Sequence, residues 1–182
     1  MSKIIAAINM TLDGYCDHTA VNPDETIHEH YTALLKSAGA ILYGSTTFKL
    51  MQYWQDLLKH HPSGEASMDD FAQSIDQIPK IVFSRKLQDT GWHTATLAQH
   101  TLEATVIALR QQPGKDILVG SPSLIRQLLR LNLVDKYQIC VHPVVAGGGL
   151  PLFEHSNRTE FKLTNTKTFP SGAVILYYQV QA

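Results

Sequence analysis

The sequence lacks the features that would place it in several specialised classes of protein. Its 182 residues include only two cysteines, Cys16 and Cys140, which lie far apart and show no metal-binding spacing. A disulfide framework is therefore not indicated, and a reducing, cytoplasmic environment is the simplest interpretation. No apolar run approaches the roughly 20 residues that would span a bilayer. The short run after Lys3 is too short for a signal peptide and predicts a buried first strand instead.

Charge is also scarce and balanced. Charged residues make up 17% of the sequence, and the formal net charge is −1 at pH 7. Without a basic surplus or a basic run, the sequence does not predict binding to nucleic acid or to a membrane surface. Hydrophobic residues make up 44% of the chain, so we expect a globular protein whose length suits one domain with a sizeable core.

The order of the predicted elements indicates an α/β fold. Strand-like runs (3–9, 40–43, 80–84, 94–97 and 116–119) alternate with helix-like runs (24–38, 101–112 and 122–131), which is typical of a parallel sheet. Residues 60–68 predict a loop. Alternation from Tyr137 to His142 predicts a half-exposed strand, and 161–169 with 173–180 predict an antiparallel hairpin. We therefore expect a single α/β domain with a mainly parallel sheet that ends in this hairpin.

Three predicted strands are each followed by a turn of small or polar residues. These turns, named corners below, are 43–47 with Gly44, Ser45, Thr46 and Thr47, 83–86 with Ser84, Arg85 and Lys86, and 119–123 with Gly120, Ser121, Pro122 and Ser123. In an open α/β sheet, ligands bind beyond the carboxyl ends of the strands. Hydroxyls, free amides at helix starts and cationic side chains all favour phosphate. Each corner alone is equally typical of an ordinary capped helix or turn, but three in one sheet favour an elongated, phosphorylated ligand. The dinucleotide pattern GxGxxG and the phosphate loop GxxxxGK(S/T) are absent.

Two loops are candidates for lining such a site. Residues 10–15 follow the first strand, and Asp13-Gly14 is typical either of a tight turn or of a lid that brings a carboxylate to the ligand. The glycine-rich segment 144–151 follows a later strand without opening a helix, so it is either a mobile connection or part of the lining. Asp13 is the loop carboxylate that we nominate as the catalytic proton donor, provided that burial raises its pKa.

The nine histidines do not form a metal-binding pattern. His28 and His30 diverge on one predicted helix, and His60-His61 are adjacent rather than spaced for one ion. We therefore expect surface histidines and no metal site. Cys16 lacks a spaced histidine partner, so it is not expected to act as a nucleophile.

Five segments together resemble the dihydrofolate reductase-like superfamily. They are MTLDGY, AILYGSTTF, KIVFSRKL, DILVGSPSLIRQLLRLNLVDKY and HPVVAGGGLPLF, in this order along nearly the whole chain. The sequence is particularly similar to the C-terminal reductase domain of bifunctional riboflavin-biosynthesis proteins. The resemblance implies a mixed sheet with helices on both faces, NADPH bound across the strand ends, and a homodimer.

The resemblance also implies roles for residues of this chain. Gly44 to Thr47 would touch the phosphate region of the nucleotide, and Ser84 and Arg85 would face the adenosine 2′-phosphate. Lys86, which adds positive charge at the same corner, is also assigned to the cofactor site. Gly120 to Leu124 would cradle the pyrophosphate, which places Ser121, Pro122 and Ser123 in the cofactor site. Met10 to Gly14 would border the nicotinamide. The expected activity is hydride transfer from NADPH, with NADH as the alternative, to a pterin-like or ribosylaminopyrimidine-like heterocycle or imine.

The sequence also departs from the family. Gly44-Ser45 stands where the family often has Gly-Arg, which leaves the preference for NADPH over NADH open. Leu118-Val119-Gly120 lacks the glutamate that riboflavin-pathway members carry before that glycine, and the acid of folate enzymes has no assured counterpart near Asp24 and Glu25. The alternative function is a dimeric protein that binds a nucleotide or heterocycle without turnover.

Overall fold

The computed structural model describes residues 1–60, 62–154 and 157–181. Eight strands make up its sheet: β1 (Ile4–Thr11), β2 (Ala40–Gly44), β3 (Lys80–Phe83), β4 (Ala95–Leu97), β5 (Ile117–Val119), β6 (Lys136–His142), β7 (Phe161–Thr168) and β8 (Val174–Val180). The five helices of the described residues are α1 (Glu25–Ser37), α2 (Ser45–His60), α3 (Ala66–Gln77), α4 (Leu102–Gln111) and α5 (Pro122–Arg130).

The strand order across the sheet is β4-β3-β2-β5-β1-β6-β8-β7. The first six strands in this order pair in parallel, whereas β8 pairs antiparallel with both β6 and β7. The expected single α/β domain, mainly parallel with a C-terminal antiparallel hairpin, is therefore confirmed. One consequence matters for function: the carboxyl ends of β1, β2, β3 and β5 lie at the same edge of the sheet.

Both faces of the sheet are covered because side chains alternate along each strand. Ile4, Leu42 and Val119 belong to a core that includes residues of α4 and α5. The neighbouring Ile41 and Leu118 belong to a second core with residues of α1, α2 and α3. Within the described ranges, no helix combines the length and apolarity needed to cross a lipid bilayer.

Strand β6 differs from the expectation of a half-exposed strand. Cys140 and His142, the residues expected to face solvent, are 0% and 4% exposed. Cys140 packs in a third core with Ile27 of α1 and with Phe169 and Ile175 at the C-terminal hairpin. A polar residue type at alternate positions was therefore a poor indicator of exposure here, because α1 covers that face.

Helix α3 lies partly in the region where the sequence predicted a loop. The helix begins at Ala66, and α2 extends to His60, so the connection is 61–65, of which His61 lies outside the described residues. Met68, Phe71 and Ile75 have helical spacing, but serines and aspartates between them weaken the propensity. Ala72 and Ile75 are 0% and 1% exposed. Their packing in the core, rather than intrinsic helix propensity, stabilises this helix.

Candidate functional site

The three corners meet in one polar groove at the carboxyl edge of the sheet. The groove has a volume of about 970 Å³. Its lining includes Gly44, Ser45, Thr46 and Thr47 from the first corner, Ser84, Arg85 and Lys86 from the second, and Ser123 with Leu124 from the third. Convergence of the corners follows from the parallel pairing of β3, β2 and β5. Their role in binding a cofactor remains a prediction.

A buried hydrogen bond joins the first and third corners. The backbone N–H of Gly44 donates to Oγ of Ser121 at 2.8 Å, and Ser121 is only 1% exposed. A serine directly before a proline at the first helical position is typical of an N-cap. Here the side chain of Ser121 is used by Gly44 instead, and no side-chain capping bond is present at the start of α5. A Cβ on Gly44 would lie 3.3 Å from Oγ of Ser123, so the strand end and the helix start approach closely.

The groove is electropositive. Lys49, Arg85, Lys86 and His100 line it, whereas Asp and Glu are absent among its described lining residues. Residues at or near the starts of α2, α4 and α5 also border the groove, and a helix N-terminus carries free amides and a partial positive charge. The groove therefore offers phosphate both donors and charge.

Sequence reasoning missed two parts of this lining. Lys49 lies one turn after Ser45 on α2, so a helix beginning at the first corner could have predicted its position. His100 and Thr101 precede α4, where Oγ1 of Thr101 accepts a hydrogen bond from the N–H of Ala104. The capping position of Thr101 was a detectable signal, but its proximity to the other corners depended on the sheet order.

The second corner is held in shape by its own serine. Oγ of Ser84 accepts hydrogen bonds from the backbone N–H groups of Lys86 and Leu87, at 3.2 and 3.1 Å. The side chains of Arg85 and Lys86 are exposed. In the part of the chain that the structure describes, neither side chain forms an ion pair or hydrogen bond. Both cations are therefore available to an anionic ligand.

Two residues of the third corner face away from the groove. Gly120 and Pro122 line a separate cavity on the α1–α3 side of the sheet. A Cβ on Gly120 would lie 3.1 Å from Cε1 of Tyr43, so close packing against this ring accounts for the glycine. A bulky residue at Gly120 would therefore force Tyr43 to move and would disturb the packing of this side of the sheet.

The separate cavity is an apolar pocket of about 550 Å³. It lies between β1, β2 and β5 of the sheet and the three helices α1, α2 and α3. On α2, Thr47, Leu50, Met51 and Trp54 follow helical spacing along its wall. Thr47 borders both the pocket and the polar groove, so the two cavities adjoin at this residue.

His28 belongs to the pocket rather than to the surface. Its ring centroid lies 5.8 Å from that of Trp54 and 5.6 Å from that of Phe71, and the latter two rings are 4.7 Å apart in an edge-on contact. Burial lowers the pKa of His28, while the charges of Asp24 and Glu65 act in the opposite direction. The expectation of a surface histidine is wrong here, because α1 turns this residue towards the aromatic side chains of α2 and α3.

A hydrogen-bonded group lies at the sheet side of the pocket. Oδ1 of Asn9 lies 3.1 Å from the hydroxyl of Tyr31, which donates to it, and 3.0 Å from Nε2 of His142. Burial raises the pKa of Tyr31 and lowers that of His142, so a protonated phenol and a neutral imidazole are favoured. Asn9 lines the pocket, and its Nδ2 has no partner within the described residues.

Asp13 has a different environment from the one a proton donor needs. Its carboxylate accepts hydrogen bonds from Oγ1 of Thr11 at 2.6 Å and from the N–H groups of Ala146 and Gly147 at 3.1 and 2.8 Å. The Thr11 bond is the largest cause that lowers the pKa of Asp13, to about 2. An exposed carboxylate in this state stays ionised at neutral pH, so the structure favours a role for Asp13 in holding the glycine-rich segment.

The remaining predicted loop residues, Met10 and Gly14, lie in other surroundings than the two cavities. Met10 packs against the core on the α4–α5 side, and Gly14 adopts a φ of 92°, which favours glycine in this turn. Among the described residues that line the two cavities, Met10, Asp13 and Gly14 do not occur. Their proximity to a nicotinamide remains a prediction.

The thiol of Cys16 lines the apolar pocket but is poorly suited to nucleophilic chemistry. Burial raises its pKa to about 12, against a smaller lowering by Arg126, so the thiolate is disfavoured at neutral pH. Among the residues with described positions, no three histidine, cysteine, aspartate or glutamate side chains lie close enough together to hold a metal ion.

The fold and the groove define an α/β domain of the dihydrofolate reductase-like class. A family model described as "RibD C-terminal domain" matches residues 2–175, and the chain belongs to this family. It is also 33% identical over 181 residues to the uncharacterized protein YyaP of Bacillus subtilis, covering 97% of this chain and 94% of that protein. The family supports a reductase-like role for the chain.

Solved structures share the fold at low sequence identity. A putative riboflavin biosynthesis protein from Shewanella sp. PV-4 superposes with a TM-score of 0.75 and 17% identity, with 99% of each chain covered. The riboflavin biosynthesis reductase Rib7 of Saccharomyces cerevisiae gives a TM-score of 0.65 and 16% identity, over 99% of this chain and 90% of that one. These likenesses bear on the fold.

Proposed function

We propose that the protein is an NADPH-dependent reductase that transfers a hydride to a small heterocyclic or imine-type substrate. The observation that carries this proposal is the pairing of two unlike cavities, one polar and electropositive and one apolar, which adjoin at Thr47. The phosphates of a dinucleotide need a polar, positively charged groove, and the substrate ring that receives the hydride needs an adjoining apolar space. The family supports the same activity.

The residues of the groove fit a dinucleotide. Arg85 and Lys86 would hold the 2′-phosphate of NADPH, since exposed cations on a rigid turn bind phosphate well. The starts of α2 and α5, with Ser45 and Ser123, would bind the pyrophosphate through amides and hydroxyls. When bound, the dinucleotide supplies a hydride to the carbon of a carbon–nitrogen double bond, and a proton completes the reduction at nitrogen.

The carboxylate that lines the apolar pocket is not suited to donate the proton. Among the described lining residues of the apolar pocket, the carboxylic acid is Asp17. Hydrogen bonds from the backbone and the hydroxyl of Thr19 lower its pKa, so it is ionised at neutral pH. The chain's contribution is then to orient the two rings and to exclude bulk water from them.

Replacement of Arg85 with alanine tests the cofactor assignment. Hydrogen bonds to a charged group contribute about 1.5–3 kcal/mol; since Arg85 is exposed, we expect the lower end, about a tenfold loss of NADPH affinity. NADH lacks the 2′-phosphate, so its affinity should change much less. Fluorescence titration of the purified chain measures both affinities. Arg130→Ala, which removes another exposed arginine of the chain, is the matched control.

Three results would contradict the proposal. Equal losses for both dinucleotides would remove Arg85 from the 2′-phosphate site. Failure of NADPH and NADH to bind at millimolar concentration would remove the reductase activity altogether. Binding without consumption of NADPH absorbance, across pterins, ribosylaminopyrimidines and flavins, would instead support a non-catalytic nucleotide-binding protein. The ionised states of Asp13 and Asp17 are the observation that favours this second candidate.

Compartment and assembly complete the proposal. Cys16 and Cys140 are free thiols, which supports a reducing, cytoplasmic location. We also propose a homodimer. The solvent-exposed strand β7 lies at the end of the sheet with Leu163 48% exposed, and an exposed strand edge favours association.

A further inference from the structure

The charge of the apolar pocket differs sharply from that of the groove. Among its described lining residues there is no lysine or arginine, and the charged group is the carboxylate of Asp17. His18 is 63% exposed, and its Nδ1 lies 3.8 Å from Oδ1 of Asp17. His28 is held neutral by burial, which lowers its pKa.

Arg126 acts on the Cys16 thiol from outside the lining, but its guanidinium already donates to the carbonyl of Pro151 and pairs with Glu154. A phosphate placed in the pocket would therefore bring about −1.5 to −2 charge to a lining without a lysine or arginine.

The shape and chemistry of the walls favour a flat ring. His28, Trp54 and Phe71 present three rings within 6 Å of one another on the helix side. Ile41, Tyr43 and Leu118 form the opposite wall on the sheet. A volume of about 550 Å³ lies within the range of small-molecule sites, roughly 300–1,000 Å³, and it accommodates two or three fused rings.

One polar contact is available at the sheet side. Oδ1 of Asn9 is occupied by Tyr31 and His142, which leaves Nδ2 to donate to a ligand. Because both partners of Oδ1 are fixed by packing, the amide is held in one orientation. A ring carbonyl or ring nitrogen of the ligand would accept this hydrogen bond and set the position of the ring in the pocket.

We infer that the substrate is a planar, unphosphorylated heteroaromatic molecule with a hydrogen-bond acceptor facing Asn9. This inference rests on the proposed function, since it takes the apolar pocket as the substrate side of the same site. It separates this chain from reductases whose substrate carries a ribose phosphate. The phosphate-binding capacity of the molecule is concentrated in the groove, where the dinucleotide would use it.

Riboflavin and FMN test the inference, because they differ only by one phosphate. Equilibrium dialysis of the full chain against each flavin, without a dinucleotide present, measures the two affinities. We expect FMN to bind at least about tenfold more weakly than riboflavin. Lumiflavin, which has the same ring system with a methyl group in place of the ribityl chain, should bind as well as riboflavin. FMN affinity equal to or greater than that of riboflavin would overturn the inference, and so would failure of both uncharged flavins to bind.

Variants locate the binding to this pocket. Trp54→Leu removes a stacking partner and should weaken riboflavin by roughly tenfold, since stacking of a ring on an aromatic side chain contributes about 1–3 kcal/mol. Phe153→Leu changes an aromatic residue outside the pocket lining and should have no effect. Leu50→Arg places a cation in the lining at a residue that is 37% exposed, and it should narrow the preference for riboflavin over FMN. Equal losses of riboflavin affinity in Trp54→Leu and Phe153→Leu would refute the assignment of flavin binding to this pocket. An unchanged preference for riboflavin over FMN in Leu50→Arg would refute it as well.

The two proposals can fail separately. NADPH titration of the wild type and of Arg85→Ala reports on the groove, because Arg85 lines the groove and not the pocket. A chain that binds NADPH through Arg85 but prefers FMN would keep the proposed reductase and lose the inference about its substrate. A chain that binds riboflavin at Trp54 but neither dinucleotide would lose the reductase and keep a heterocycle-binding protein.

Discussion

Replacement of Ser121 with alanine tests how the groove is assembled. The hydroxyl of Ser121 accepts the N–H of Gly44 at 2.8 Å in a buried position. Alanine removes the acceptor and leaves that N–H without a partner. An unsatisfied buried donor costs about 1–3 kcal/mol of unfolding free energy, which corresponds to a fall in melting temperature of roughly 2–12 °C for a domain of this size.

Ser123→Ala is the matched control for this change. Ser123 lies two residues away and is exposed, and its hydroxyl has no hydrogen-bond partner within the described residues. We expect its loss to leave urea and thermal unfolding unchanged within about 0.5 kcal/mol. Dinucleotide affinity should fall in both variants, because Ser121 positions the corner and Ser123 lines the groove. Equal stability of Ser121→Ala and wild type would refute the structural role of the buried bond.

Three further predictions concern protonation and assembly. Burial raises the pKa of the Cys140 thiol to about 12 from 9.0, because the folded state favours the neutral thiol. The stability that this preference contributes is complete below pH 9 and is lost as the pH rises towards 12. Urea unfolding at several alkaline pH values should show a smaller loss in Cys140→Ala than in wild type. Asp13→Asn should leave the fall in rate on the acidic side of the pH–rate profile unchanged, because the carboxylate is already ionised above pH 4. If this fall disappears in the variant, Asp13 is the proton donor after all. Light scattering should give a dimer mass that Leu163→Glu reduces, and a monomer in wild type would contradict the dimer.

The fold and the groove were predictable from local sequence signals. Short apolar runs separated by helical periods indicated a parallel sheet, and parallel pairing then required that its strand ends share one edge. The sequence alone therefore predicts that Gly44, Ser84 and Ser123 lie close together. These residues lie at one edge of the sheet because their strands run in the same direction, and the sequence pattern predicts that direction.

The apolar pocket was not predictable in the same way. His28, Trp54 and Phe71 lie on three different helices. How these helices pack against one another is not indicated by any local pattern in the sequence. The hydroxyl of Ser121 and the buried face of β6 were misjudged for a related reason. Residue type suggested a cap or a solvent-facing position, whereas the neighbouring element decided the contact.

Helix α2 begins at Ser45, immediately after β2 ends at Gly44. Its first turn borders the groove, and its later residues Leu50 and Trp54 border the pocket. Because no residue separates the end of β2 from the start of α2, the first turn of the helix is held directly by the sheet. A tilt of α2 would move one wall of the groove and one wall of the pocket together, and inserting a residue between Gly44 and Ser45 would displace both walls.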